Sequence, residues 1–266
     1  MYNHSIRLIV FSNINLLFIV KHFYFTSTMK LFQNLIGKIY SRLVKLFQRA
    51  PMRQRDFAYY GLTAFMTALT GITAQIRFYV GPIPFTMQNF AVILSGLLLP
   101  PFYALLSQLL YLSLIALGIP LASNFSGGLG VLLGYTAGYL WGFPITAFLM
   151  SILSRYYLSR TSIKLTDLRG RDMVVLLGLS LIAALPLYAL GYIVFLYYAL
   201  PGTKLYSWAT SISSKIGLVL ESRLLILFLV SVVIFVPQDL FMDHLLAIIT
   251  AKGIARILYV RGLSLN

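Results

Sequence analysis

A carboxylate between two apolar stretches is the residue best placed to do chemistry in this sequence. Asp239 follows Pro237 and Gln238 and stands between apolar residues 224–236 and 240–251. A carboxylate at membrane depth is costly unless it is paired or faces a polar cavity, so Asp239 is a candidate acceptor for the N–H groups of a ligand. The alternative is a helix N-cap at the membrane boundary, after a break at the proline.

A second carboxylate, Asp243, lies four residues after Asp239 and has His244 beside it. Residues at this spacing share one face of a helix, so the two acids could couple transport to protons or cations. More often such a pair is one buried group and one solvated group. The sequence leaves both interpretations open.

Neutral amides and an aromatic side chain form a second group of candidates. Gln88, Asn89 and Asn124 lie at the predicted outer ends of apolar segments, where amides offer both donors and acceptors to an uncharged polar ligand. Tyr139 could stack against a ligand ring, or could be an interfacial aromatic residue. Taken singly, each amide is also a plausible loop cap.

A glycine-rich run connects these candidates. It extends from Asn124 to Gly142 and holds six glycines in nineteen residues, Gly127 and Gly128 among them. Glycine suits tight turns and close approach of the backbone to a ligand, and irregular backbone at membrane depth is tolerated where it lines a cavity. We therefore predict that this run forms one wall of a binding site.

The composition indicates an integral membrane protein. Of 266 residues, 59% are apolar and only 10% are charged, against about 25% in an average soluble domain. The net charge of +15 does not indicate nucleic-acid binding, because the basic residues gather in short segments between apolar runs. This is the positive-inside pattern of a multispan protein.

Six membrane spans are predicted in an all-α fold, with both termini inside. The segments predicted inside carry 17 of the 21 lysines and arginines. The last span is ambiguous: we expect a loop and short helix over 216–236 and the span itself from 237, whereas the alternative is one long kinked helix. The predicted spans cover residues 57–79, 85–99, 102–117, the end of the glycine-rich run to about 153, 173–200 and 237–252.

The spans define a membrane domain over residues 56–252, between a basic N-terminal extension (1–55) and a cytoplasmic tail (253–266). Within the extension, basic residues at helical spacing over Lys30–Ala50 oppose an apolar stripe, which predicts an amphipathic helix lying on an anionic membrane surface. The chain has no cysteine, and no nucleotide-binding loop, zinc spacing or catalytic triad stands out. We therefore expect no enzyme activity, no cofactor and no metal.

Small residues recur on the first predicted span. Ala64 and Ala68 are four residues apart, and Gly71 belongs to a neighbouring row. Such spacing lets another helix approach closely. Internal packing and docking of a partner protein are equally compatible with it.

Several motifs, in order along the chain, resemble the BioY family of biotin transporters. The segment Gly81–Gln88 is similar to that family's G-P-x-P-x-T-x-Q element, and the segments Asn124–Gly130 and Pro237–Asp239 resemble later family motifs. The resemblance covers roughly residues 58–252. BioY proteins are the substrate-capturing components of energy-coupling-factor uptake systems.

The resemblance implies a six-helix protein of the cytoplasmic membrane that captures biotin near its outer face. It implies that a transmembrane coupling subunit, docking on Ala64, Ala68 and Gly71, and separate ATP-binding subunits energise uptake. It also implies hydrogen bonds from Asn124 and Asp239 to biotin. The other residues implied to line the pocket are Gln88, Gly127, Gly128 and Tyr139.

The chain departs from the family at Met242, where a lysine is usual. If that lysine contacts the ligand, Lys215 or Arg223 is a possible substitute. Two other functions stay open on the residues alone: a self-contained transporter coupled to protons or sodium through Asp239 and Asp243, and a membrane scaffold that recruits partners.

Overall fold

The computed structural model describes residues 54–80, 83–215, 217, 220 and 222–260. The chain separates into two units, residues 1–56 and 57–266, and nearly all of the described residues belong to the second unit. The predicted amphipathic helix over residues 30–50 lies outside the described residues. The domain boundaries predicted from the sequence therefore stay predictions.

Two helices and a hairpin open the fold. Helix α1 spans Gln54–Thr73, strands β1 (Arg77–Val80) and β2 (Ile83–Thr86) pair antiparallel, and helix α2 follows at Gln88–Leu98. The expectation of a first span running to residue 79 and a second starting at 85 was wrong. Aromatic and β-branched residues on both sides of the Gly-Pro pair favour strands over continued helix.

Helix α3 spans Pro101–Ala116, and its first residue is a proline whose missing N–H costs nothing at a helix start. A short 3₁₀ turn (Ser123–Phe125) then leads into the glycine-rich run, which also forms the one-turn helix α4 (Leu129–Leu132). The irregular backbone that the sequence predicted is present in this run.

Helices α5 (Ala137–Thr161) and α6 (Gly170–Tyr198) form the most extensive helix pair of the fold. Gly138 and Gly142 permit their close approach. A Cβ on Gly138 would lie 2.1 Å from the Leu190 carbonyl oxygen, and a Cβ on Gly142 would lie 2.4 Å from the Leu187 Cα. Helix α5 continues beyond the predicted end near residue 153. It stops where Ser162 adopts a left-handed conformation, with φ of 53°.

After helix α7 (Lys204–Lys215), the C-terminal helix runs through five consecutive helical segments. The prediction of a loop and short helix over 216–236, followed by a span from 237, was wrong. The alternative prediction of one long kinked helix describes the structure. Pro237 lacks an N–H and crowds the preceding turn, and π-helical turns on either side let the helix continue past it. The segments are α8 (Arg223–Phe228), a π turn (Leu229–Val233), α9 (Phe235–Gln238), a π turn (Asp239–His244) and α10 (Leu245–Val260).

The described residues are largely helical, which confirms the all-α prediction apart from the hairpin. Three helical stretches among them are long and apolar enough to cross a membrane: Ala137–Thr161, Gly170–Tyr198 and Arg223–Ile257. Two shorter apolar helices, Gln88–Leu98 and Pro101–Ala116, accompany them. The count of six spans and the orientation of the termini stay predictions.

Candidate functional site

A cavity of about 320 Å³ lies between the hairpin, α2, the glycine-rich run, α5, α6 and the C-terminal helix. This volume is at the lower end of the range usual for small-molecule sites. Its wall mixes apolar, aromatic and polar side chains. The polar and aromatic lining residues are Tyr79, Thr86, Gln88, Asn89, Ser123, Ser126, Tyr135, Thr136, Tyr139, Phe143, Tyr188, Phe235, Gln238 and Asp239.

Asp239 forms a buried polar cluster with two residues from other helices. Its side chain is only 3% exposed, and its Oδ2 accepts hydrogen bonds from Asn89 Nδ2 (2.9 Å) and Tyr188 Oη (2.7 Å). We call these three residues the Asp239 cluster. Both donors reach the same oxygen and hold the carboxylate in place, and a carboxylate can accept more hydrogen bonds than these two.

The expected second carboxylate lies behind this cluster. Asp243 is fully buried and does not line the cavity, although its carboxyl group is within hydrogen-bonding reach of Asp239. Beside it, His244 Nδ1 lies 2.8 Å from Ser180 Oγ. The sequence placed Asp239 and Asp243 on one helical face, and the structure adds that only Asp239 meets the cavity.

Gln88 and Tyr139, which the family resemblance implied as pocket residues, line the cavity; that they contact a ligand stays a prediction. The polar atoms of both are engaged within the protein: Gln88 Nε2 donates to Tyr111 Oη at 2.7 Å, and Tyr139 Oη donates to the Ser231 carbonyl oxygen at 2.5 Å. Both residues are therefore suited to shaping the wall by van der Waals contact.

Asn124, Gly127 and Gly128 do not line the cavity, although the sequence placed them in its wall. Asn124 has left-handed backbone with φ of 63°. A Cβ on Gly127 would lie 2.6 Å from the Ile119 carbonyl oxygen, and Gly128 has φ of 91°. These residues shape the loop, while the lining itself comes from neighbours such as Ser123 and Ser126.

Asn124 instead belongs to a second polar cluster, beside the cavity wall. Arg77 donates from one guanidinium nitrogen to Asn124 Oδ1 (2.8 Å) and from another to Gln75 Oε1 (3.2 Å). Gln75 in turn donates to the Ala122 carbonyl oxygen (2.9 Å). We call Arg77, Gln75 and Asn124 the Arg77 cluster; it joins the start of the hairpin to the glycine-rich run.

The basic residues suggested as substitutes for a lysine at Met242 lie elsewhere. Arg223 donates to the carbonyl oxygens of Leu196 and Ala199, and Lys215 is exposed at the end of α7. The Met242 side chain is itself 46% exposed. None of the three lines the cavity.

Comparison with protein families matches residues 48–259 to the BioY family. The chain is 44% identical over 118 residues to a probable biotin transporter BioY of Pyrococcus horikoshii, covering 44% of this chain and 69% of that protein. It is 44% identical over 88 residues to the biotin transporter BioY of Thermotoga maritima, covering 33% of this chain and 52% of that protein.

The fold matches a crystal structure of the S-component for biotin from an ECF-type ABC transporter. The TM-score is 0.58 at 22% sequence identity, over 78% of this chain and 95% of the other. At this level of identity the likeness concerns the fold alone.

Proposed function

Because this chain belongs to the BioY family, we propose that it captures biotin and carries it across the cell membrane as a multi-pass uptake component. Separate coupling and ATP-binding subunits supply the energy. The relatives from Pyrococcus horikoshii and Thermotoga maritima are named as biotin transporters, which agrees with the expectation that the chain is not an enzyme.

The observation that carries this proposal is the buried carboxylate at the cavity wall. Biotin has a cyclic urea with two N–H groups, a sulfur-containing ring and an aliphatic chain. Asp239, held by two donors on one oxygen, supplies an acceptor for the urea N–H groups. Leu140, Phe143 and Leu187 supply apolar wall for the ring and the chain.

The proposed docking surface for the coupling subunit is the exposed face of helix α1. Ala64 and Ala68 are exposed there, next to Phe65 and Ile72, and small residues let a partner helix approach closely. Gly71 has a different environment, since a Cβ there would lie 2.9 Å from Leu121 Cδ2. We therefore assign docking to Ala64 and Ala68, and internal packing to Gly71.

A melting screen of the purified protein against water-soluble vitamins tests the ligand. Biotin is expected to raise the melting temperature, because a ligand that binds only the folded state stabilises it by mass action, whereas riboflavin, thiamine and folate are expected to leave it unchanged. A shift with another vitamin and none with biotin would assign the cavity to a different ligand.

Uptake measurements test how transport is energised. Biotin accumulation is expected to require co-expressed coupling and ATP-binding subunits. Replacing Ala64 and Ala68 with leucine should reduce that accumulation while leaving biotin binding intact. Uptake without those subunits, abolished by an uncoupler, would instead support the self-contained coupled transporter.

A further inference from the structure

A positive charge lies next to the cavity without an acidic partner. Arg77 is partly buried, and within residues 54–80, 83–215 and 222–260 no carboxylate pairs with it. Its two hydrogen-bond acceptors, Gln75 and Asn124, are neutral amides. They orient the guanidinium group and leave its charge uncompensated.

Arg77 shares one face of the hairpin with two residues that line the cavity, while the lining residue Ile83 lies on the opposite face. Arg77 and Tyr79 are two residues apart on β1, so their side chains lie on the same face of the hairpin. Arg77 is paired across the hairpin with Thr86. Both Tyr79 and Thr86 line the cavity. On its other side, the acceptor Asn124 directly follows the lining residue Ser123, so Arg77 lies between two segments of the wall.

The described lining of the cavity contains one carboxylate, Asp239, and neither lysine nor arginine. The proposed ligand, in contrast, is itself an acid, with urea N–H donors at one end and a carboxylate at the other. The Asp239 cluster would repel that carboxylate. A ligand with its urea at Asp239 therefore directs its carboxylate toward another part of the wall.

We propose that Arg77 recognises the carboxylate of the ligand, so that the Asp239 and Arg77 clusters fix its orientation from opposite ends. This inference rests on the proposed function and adds a specificity-determining residue to it. An arginine has five N–H donors in a planar fork, and the two amide contacts leave donors for a carboxylate. Arg223, by comparison, is already engaged with two backbone carbonyl oxygens of α6 and the residue after it.

The test compares biotin with its primary amide, which has the same shape and no charge. Affinities for both are measured by calorimetry on the purified protein in lipid nanodiscs. The unmodified protein should bind biotin about tenfold more tightly than the amide or better, as expected for a charge-assisted contact. Arg77→Gln should bring the ratio close to one, mainly by weakening biotin, and Arg77→Lys should restore part of it.

The affinity ratio separates recognition from a purely structural role. If Arg77 only holds the hairpin against the glycine-rich run, Arg77→Gln will weaken biotin and the amide equally and leave the ratio unchanged, which overturns the inference. Lys215→Gln removes an exposed charge away from the cavity and should leave the ratio unchanged. An unmodified protein that binds neither compound would refute the proposed function itself, whereas equal binding of both would refute only the role of Arg77.

Discussion

The Asp239 cluster and the Arg77 cluster place opposite charges around one cavity, on very different supports. Asp239, Asn89 and Tyr188 come from three packed helices, and the carboxylate is almost fully buried. Arg77 and Asn124 come from a hairpin and a turn, and their contact is exposed to solvent. Groups on packed helices hold their geometry more closely than groups on loops.

We expect the two clusters to differ in what they contribute: the Asp239 cluster to the strength of ligand binding, and the Arg77 cluster to the choice of ligand. Hydrogen bonds at the buried carboxylate act in a low dielectric, so losing one is costly. Contacts at the Arg77 cluster compete with water and are worth less individually. We therefore expect substitutions in the Asp239 cluster to reduce binding strongly, and substitutions in the Arg77 cluster to change mainly which ligand is preferred.

The largest expected effect comes from Asp239→Asn. The amide has nearly the same shape, but it loses the charge and turns an N–H₂ group toward donors. Biotin affinity should fall by more than about 100-fold, since a hydrogen bond to a charged group contributes about 1.5–3 kcal/mol and the loss of two costs about 3–6 kcal/mol. Equilibrium binding of labelled biotin measures this. The control Asp167→Asn changes an exposed acid in the α5–α6 connection and should bind normally; equal loss in both variants would contradict the assignment.

Gly191→Ala tests the packing of Tyr139 in the cavity wall. The added methyl group would lie 2.3 Å from Tyr139 Cε1, so the Tyr139 ring must move within the cavity wall. Overpacking of this kind costs about 1–3 kcal/mol, and the ligand-free melting temperature should fall. Gly178→Ala, on the same helix with open space around it, should be neutral or stabilising. A Gly191→Ala protein that melts no lower than Gly178→Ala would refute this packing argument.

Tyr188→Phe removes one donor from Asp239 and keeps the ring. Biotin affinity should drop about five- to tenfold, which corresponds to about 1 kcal/mol. Tyr192→Phe is the matched control one turn along α6, because its hydroxyl donates to the Leu224 carbonyl oxygen and not to the cluster. Titration calorimetry on both variants measures the difference, and an equal effect in the two would argue that Tyr188 acts through packing alone.

The smallest effect is expected for Asn124→Gly. Glycine keeps the left-handed backbone without strain, so the substitution removes only the side chain that Arg77 contacts. Biotin affinity should change about threefold or less, in the range of exposed charged contacts. If Asn124 instead touches biotin directly, as the family resemblance implied, the loss will approach that of Tyr188→Phe. The same binding assay distinguishes the two outcomes.

The sequence predicted the helices and part of the cavity because those signals are local. Apolar runs located the helical segments, and the cost of burying a charge pointed to Asp239. The clusters themselves depend on distant partners: Asn89 is 150 residues from Asp239, and Arg77 is 47 residues from Asn124. Only the fold brings such pairs together.

The continuity of the C-terminal helix and the role of each glycine depend on backbone geometry, which the sequence did not predict. The proline at 237 favoured a break by local rules, and the neighbouring π turns that accommodate it have no plain sequence signal. Likewise, six glycines indicated irregular backbone but not the role of each. Gly130 and Gly134 line the cavity, whereas Gly138 and Gly142 bring two helices together.

The π turn at Asp239–His244 also affects how this helix is compared with its relatives. A π turn amounts to one additional residue in an otherwise regular helix, so residues beyond it are rotated relative to a straight helix. Counting three positions on from the carboxylate reaches Met242, on the exposed surface, while the fully buried neighbour is Asp243. In this helix, therefore, the position at which the family usually has a lysine is exposed and does not line the cavity, and the buried position that follows it holds an acid.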